Sequence, residues 1–163
     1  MSVRNCGEIG ENLQKIMNRL LSNQELLKLL YYTDKDPLSK PDLTNEQKAT
    51  EIFEKLIKVI PKVNSRETSN SVITIEVVKG TKNTENSEFK NLSIAIELFI
   101  PLTQWIIKDS NLRPFAILGQ IEKSLNNKTI NGLGKMTGGQ FYINFYTDDI
   151  ACYKQEFEII TYD

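Results

Sequence analysis

None of the chain's 163 residues is histidine, and that absence decides much of its possible chemistry. Histidine is the usual general acid–base near neutral pH and the commonest metal ligand. Without it, Ser-His-Asp and Cys-His catalysis are excluded, and two cysteines alone do not build a zinc site in the usual way. Cys6 lies in the N-terminal run and Cys152 in a predicted strand. Two such distant thiols are neither a disulfide framework nor a metal set, so free thiols in a reducing compartment are expected. Cys152 lacks a base and sits mid-strand, which predicts a buried, inert thiol. The carboxylate pairs Asp34/Asp36 and Asp148/Asp149 fall in turn sequences, where aspartate satisfies nearby backbone. Asp34 and Asp36 lack the glycine and distal glutamate of a calcium loop. Neither pair has an apolar flank that would raise a carboxyl pKa for glycosidase-type work.

Two other runs invite a binding reading. Asn127 to Gly139, NKTINGLGKMTGG, carries glycines at 132, 134, 138 and 139. A phosphate cradle sits between a strand and the start of a helix. Here the glycines follow a helix and precede a strand, and Lys135 is not placed as in a Walker A sequence, so a flexible connection is expected. Phe141, Tyr142, Phe145, Tyr146 and Tyr153 are aromatics of the kind that stack single-stranded RNA from a sheet. Asp148, Asp149, Glu156 and Glu158 surround them where that mode wants basic residues, so core and interface packing is the better reading. Trp105, in PLTQWIIKDSNL, either closes one end of the core or heads an exposed apolar patch of the kind that marks protein contacts.

The elements that must position these residues read as follows. Gly7–Leu21 is a helix with Ile9, Leu13, Ile16, Met17 and Leu20 on one stripe. Ser22 to Glu25 reads as a capping box for a second helix running to about Tyr31, and Thr44 to Gln47 as another, opening a helix to Leu56. Tyr32–Asp42 is a loop. Ile57–Val63 reads as a short edge strand and Asn64–Asn70 as a polar loop. Ser71–Gly80 places Ile73, Ile75 and Val77 on one face, and the polar 81–87 run reads as a mobile turn joining it to the next strand. That strand alternates Leu92, Ile94, Ile96, Leu98 and Ile100 against Asn91, Ser93, Ala95, Glu97 and Phe99, the period of two that marks a half-buried strand. The following helix puts Phe115, Leu118, Ile121 and Leu125 on one stripe. A last hairpin has Phe141, Ile143 and Phe145 opposite Tyr142, Asn144 and Tyr146, then Tyr153, Phe157 and Ile159 opposite Lys154, Glu156 and Glu158, an acidic, solvated face. The fold class expected is α+β: N-terminal helices, then a mostly antiparallel sheet in the order β-β-β-α-β-β with a helix packed on one face. Residues 1–163 read as a single domain, helical over 1–56 and sheet plus central helix over 57–163.

Composition sets the remaining bounds. Twenty Lys and Arg against 21 Asp and Glu give a net charge of −1, which supplies no global pull toward nucleic acid or anionic membrane. The N-terminus has no apolar run of a signal peptide, and no stretch reaches the length of a membrane span. No enzyme activity, cofactor or metal is expected, nor sequence-specific nucleic-acid or membrane binding.

The element order resembles that of phage tail-terminator and tail-completion proteins. The run FIPLTQWIIKDSNLRPFAILGQIEKSLNNKTINGLGKM, Phe99 to Met136, and the earlier YYTDKDPLSKPDLT, Tyr31 to Thr44, are similar to a neck protein from tailed phages of low-GC Gram-positive hosts. The resemblance implies a structural virion protein, made in the host cytoplasm and sited in the neck at the head-proximal end of the tail. It would form a ring, commonly a hexamer, that stops tail-tube growth and joins the tail to the head connector, with DNA passing through. Its partners would be itself, the tail-tube protein and the head-connector and neck proteins. Loop position and apolar character nominate Lys82, Asn83, Glu85, Trp105, Ile106, Lys135 and Met136 as contact residues. The alternative is a small phage-encoded regulatory or inhibitory protein-binding module, and behind it an enzyme of unknown type.

Overall fold

A computed structural model describes residues 5–60 and 69–160. Helix α1, Ile9–Leu21, follows a short 3-10 turn capped by Asn5, whose side chain accepts from the Gly7 amide. It buries Ile16, Met17 and Leu20, residues a turn apart on one face. Helix α2, Gln24–Tyr31, is capped by Asn23, whose side-chain Oδ1 accepts from the Leu26 amide. The expected cap at Ser22 is thus displaced by one residue, because the Ser22 hydroxyl is engaged with the Arg19 carbonyl. The Thr44/Gln47 capping box forms as expected and opens α3, Asn45–Gln47. That helix does not run to Leu56. It loosens into a π-turn at Lys48–Ile52, and Phe53 leaves it in extended backbone.

The six-stranded mixed sheet, curled into a half-barrel, has the order β1-β2-β3-β6-β5-β4. Strand β1 is only Ile57–Lys58 and runs parallel to β2, Val72–Lys82. Val59 and Ile60 are a bend and not strand, and the 61–63 part of the expected edge strand and the 64–68 part of the expected loop lie outside the described residues. Strands β2 and β3, Lys90–Pro101, form the expected hairpin, with a bulge at Val77–Lys79. Its turn is organised by Asn83, whose side-chain Oδ1 accepts from the amides of Glu85 and Asn86.

Helix α4, Arg113–Leu125, carries Pro114 in its first turn, where a missing N–H costs nothing. Its core stripe is Ile117, Leu118, Ile121 and Leu125, and Phe115 points off that stripe and is exposed. The glycine-rich run is not a loop. Lys128–Ile130 is strand β4, and the glycines at 134, 138 and 139 lie inside β5, Gly134–Tyr146. Gly138 and Gly139 have φ of +124° and +102° at a bulge in β5. A Cβ on Gly138 would lie 2.8 Å from the Glu156 carbonyl oxygen, so both the conformation and the close approach call for glycine.

Strand β6, Ile150–Ile160, lies between β3 and β5. Its alternation is as read, with Tyr153, Phe157 and Ile159 toward the helices. In β5 a second bulge at Ile143–Phe145 interrupts the alternation. Phe145 therefore pairs with Cys152 on the open face, and Tyr146 with Ala151 on the helix face. The core fills the space between one face of the sheet and helices α1, α2 and α4.

Candidate functional site

The helical layer is locked beneath the sheet by Arg113. The side chain is fully buried, and its guanidinium donates to the carbonyls of Gln104, Leu29, Tyr32 and Asp34. Burial lowers its pKa, and Asp34 acts in the opposite direction. Four carbonyl acceptors and no direct carboxylate partner make this a structural clamp, joining the end of α2 to the start of α4. Asp34 accepts from the Asp36 amide and lies 3.2 Å from Lys40. The backbone bond, then Lys40 and Arg113, hold its carboxyl below the usual range despite some desolvation. Asp36 pairs with Lys108 at 3.2 Å. These carboxylates tie down a loop.

The face of the sheet away from the helices carries a second polar cluster. Lys154 on β6 lies 3.1 Å from Glu76 on β2 and 3.7 Å from Glu97 on β3. The amide of Asn144 on β5 donates to Glu97 at 2.9 Å. The cluster thus spans the four long strands. Burial, and then the neighbouring Glu76, raise the Glu97 pKa, while Lys154 opposes them. For Lys154, burial works against the charged form, but the bond to Glu76 and the charges of Glu76 and Glu97 outweigh it and raise its pKa. Cys152 lies beside this cluster, buried, with its thiol pushed up to about 12, first by burial and then by Glu97. That is no nucleophile at neutral pH. Farther along the same face a groove of about 530 Å³ is lined by Lys79, Ser93, Thr137, Gln140, Glu156 and Glu158, among others. Tyr142 donates to Glu156 at 3.0 Å, and that bond, before other causes, raises the tyrosine pKa.

The most unusual surface is the edge formed by β5. Strand β4 pairs only with Gly134–Met136. Among the described residues, 137–146 has β6 on one side and no strand on the other. Phe141, Tyr142, Ile143, Phe145 and Tyr146 are all exposed there, Tyr146 by 75%. Sequence alternation missed that this strand shows apolar side chains on both faces, because the signal assumes one face is covered. On the helix side the patch continues through Phe115, whose ring lies 6.0 Å from Phe141 and 5.7 Å from Tyr153. Trp105 joins it 6.2 Å from Tyr153, and Ile106 is exposed.

The nominated contact residues do not share one place. Trp105 is half-buried, and with Ile106 it lies where an apolar patch was one of two expectations. Lys82 and Glu85 are exposed at the β2–β3 hairpin, whereas Asn83 is buried and organises the turn. Lys135 is exposed on β5. Met136 is fully buried in the core, paired between Lys128 and Ile159. It offers no contact surface, because the glycines around it build strand rather than loop. Among the described residues no group of three or more His, Cys, Asp or Glu is placed to hold a metal. No described helix is long and apolar enough to cross a membrane.

A family model described as YomW, the name of a phage-derived family, matches residues 23–158, from the start of α2 into β6. No curated protein matches the chain.

Proposed function

The chain belongs to the YomW family of phage proteins, and from that premise we propose that it is a non-enzymatic structural component of the virion that works by protein contact. The observation that carries this reading is the free run of β5, with five large apolar side chains exposed along it. Monomeric proteins rarely present such a contiguous patch, and a long apolar strand edge is a template for joining chains. The specific place we propose is the head–tail junction, as a tail-terminator or tail-completion ring. Its partners would be further copies, the tail-tube protein and the head connector. The resemblance of 99–136 and 31–44 to neck proteins supports that place. A closed ring needs a heterologous contact between different faces of one subunit, and exposed surfaces such as the β2–β3 hairpin are available for it.

Negative-stain images of the purified chain, alone and mixed with terminator-free tail tubes, test this. Rings, or caps at tube ends, are the expected result. A chain that neither assembles nor binds tubes or connectors overturns the reading. The groove beside Lys79, Glu156 and Glu158 favours one alternative, a small phage-encoded regulatory module that takes a segment of another protein on its open face. Stoichiometric binding of one host protein in that groove, with no affinity for tubes, is what that alternative requires.

A further inference from the structure

We propose that two copies of the chain join through the free run of β5, paired antiparallel about a two-fold axis perpendicular to the sheet, so that one sheet passes through both. This goes beyond the virion reading and does not rest on it, because the contact is a property of the chain alone. Being two-fold, it does not lie between neighbours of a ring closed by a heterologous contact; it would join a copy in one ring to a copy in another.

Three observations select a second copy as the occupant. Residues 137–146 contain no charged side chain, so a strand paired with its own copy meets no like charge, which would otherwise oppose self-pairing. The run shows apolar side chains on both faces, Phe141, Ile143 and Tyr146 on one and Tyr142 and Phe145 on the other. Only a partner that is apolar on both faces covers them all, and the run itself is such a partner. The two-fold also makes the new pair antiparallel, as are all neighbours in this sheet except β1 with β2. The regular stretch between the two bulges, Gln140–Ile143, is the centre of the pairing. Helices of both copies then lie on the same side, with Phe115 of each beside the joint.

The other edge left without a strand among the described residues is the competing occupant and fits less well. Beyond its pairing with β1, β2 offers residues 75–82, where Lys79 and Lys82 project, a bulge interrupts the ladder, and Val78 is the one large hydrophobic that is exposed.

The test is solution mass across a concentration series for the full chain, with Ile143→Lys and Val78→Lys, each checked for native circular dichroism. A dimer is expected for the unaltered chain and for Val78→Lys, with association weakened roughly tenfold or more in Ile143→Lys. A Tyr142→Cys variant in a Cys6→Ser background keeps the test decisive if Ile143→Lys misfolds. A bis-maleimide thiol cross-linker, which bridges the two introduced thiols whichever residue of Gln140–Ile143 lies on the two-fold, is expected to link it into dimers through its own copy, since Cys152 is buried. Absence of that link in a concentrated, folded sample overturns the proposal, even if rings form through other surfaces. Assembly lost equally in Ile143→Lys and Val78→Lys, and restored to capped pairs on mixing them, also overturns it, by showing a head-to-tail β5-to-β2 contact.

Discussion

The two edges of one sheet are built to different rules. At the β2 edge no strand among the described residues pairs with 75–82 beyond β3, but Lys79 and Lys82 stand on it and a bulge at Val77–Lys79 disturbs its ladder. Those are the devices by which proteins keep an edge from pairing. At the β5 edge two bulges are present but no lysine stands between Thr137 and Tyr146, and five large apolar side chains are exposed. Covering one such side chain fully contributes about 2 kcal/mol, whereas an exposed ion pair contributes about 1 kcal/mol or less. Apolar contact therefore outweighs any charge pairing available at β2. The lesson is that an open edge left unguarded beside a guarded one is a joining surface.

The largest expected effect serves as the control on that comparison. Arg113→Met removes the clamp under the whole sheet and strands four carbonyls, at a cost of about 3–5 kcal/mol. Denaturant unfolding should show that loss, and amide exchange should rise at both edges together. A rise confined to one edge would mean the two edges do not share one supporting layer.

Next is Lys154→Met, which leaves Glu76 and Glu97 near each other without their counter-charge. A loss of about 3 kcal/mol is expected at pH 7, shrinking toward pH 5. The sign follows from the Glu97 shift. Its folded pKa is raised above the ordinary 4.5, so its contribution favours folding below that value and is lost as pH rises through the raised value. Lys154 is also raised, from 10.5, so its contribution is present below that value and is lost as pH climbs through the raised one. A Lys154→Met deficit that does not shrink on acidification would contradict the pairing of these three side chains across the strands.

A smaller effect, about 1–3 kcal/mol, is expected for Gly138→Ala, which places a side chain at positive φ against the Glu156 carbonyl. Thermal melting reads it, and the damage should fall on the β5–β6 pair. The smallest is Val78→Lys, within about 0.5 kcal/mol in the same melts, because that edge is already lysine-bearing and solvated. A clear loss of stability or assembly there would erase the distinction between the edges.

Much of the fold was legible in local pattern. The facing of β3 from Leu92 to Ile100, the β2–β3 hairpin, and the β6 alternation stand where the sequence places them, but β3 is not half-buried, since Ala95, Glu97 and Phe99 on its other face are buried too. The Thr44/Gln47 capping box is equally local and equally plain. What was not legible depends on distant partners. The 127–139 glycines read as a connection because their strand conformation is set by bulges against β6. The same bulges moved Phe145 and Tyr146 to opposite faces, which no period of two anticipates. Phe115 fell off its stripe because its partners, Phe141 and Tyr153, lie far along the chain. Those glycines make Met136 read as a surface residue, and it is core. For Trp105 the sequence admits both core closure and an exposed patch; it is half-buried beside Tyr153, with exposed Ile106 next to it. That 137–146 has no strand beyond it among the described residues follows from the shortness of β4, which pairs only with Gly134–Met136, and strand patterns do not contain it.

The most direct measurement of the difference between the edges is amide hydrogen exchange at low and at high protein concentration. The account predicts that protection of 137–146 rises with concentration while protection of 75–82 does not change. Equal behaviour of the two edges, or concentration-dependent protection at 75–82 alone, would contradict it.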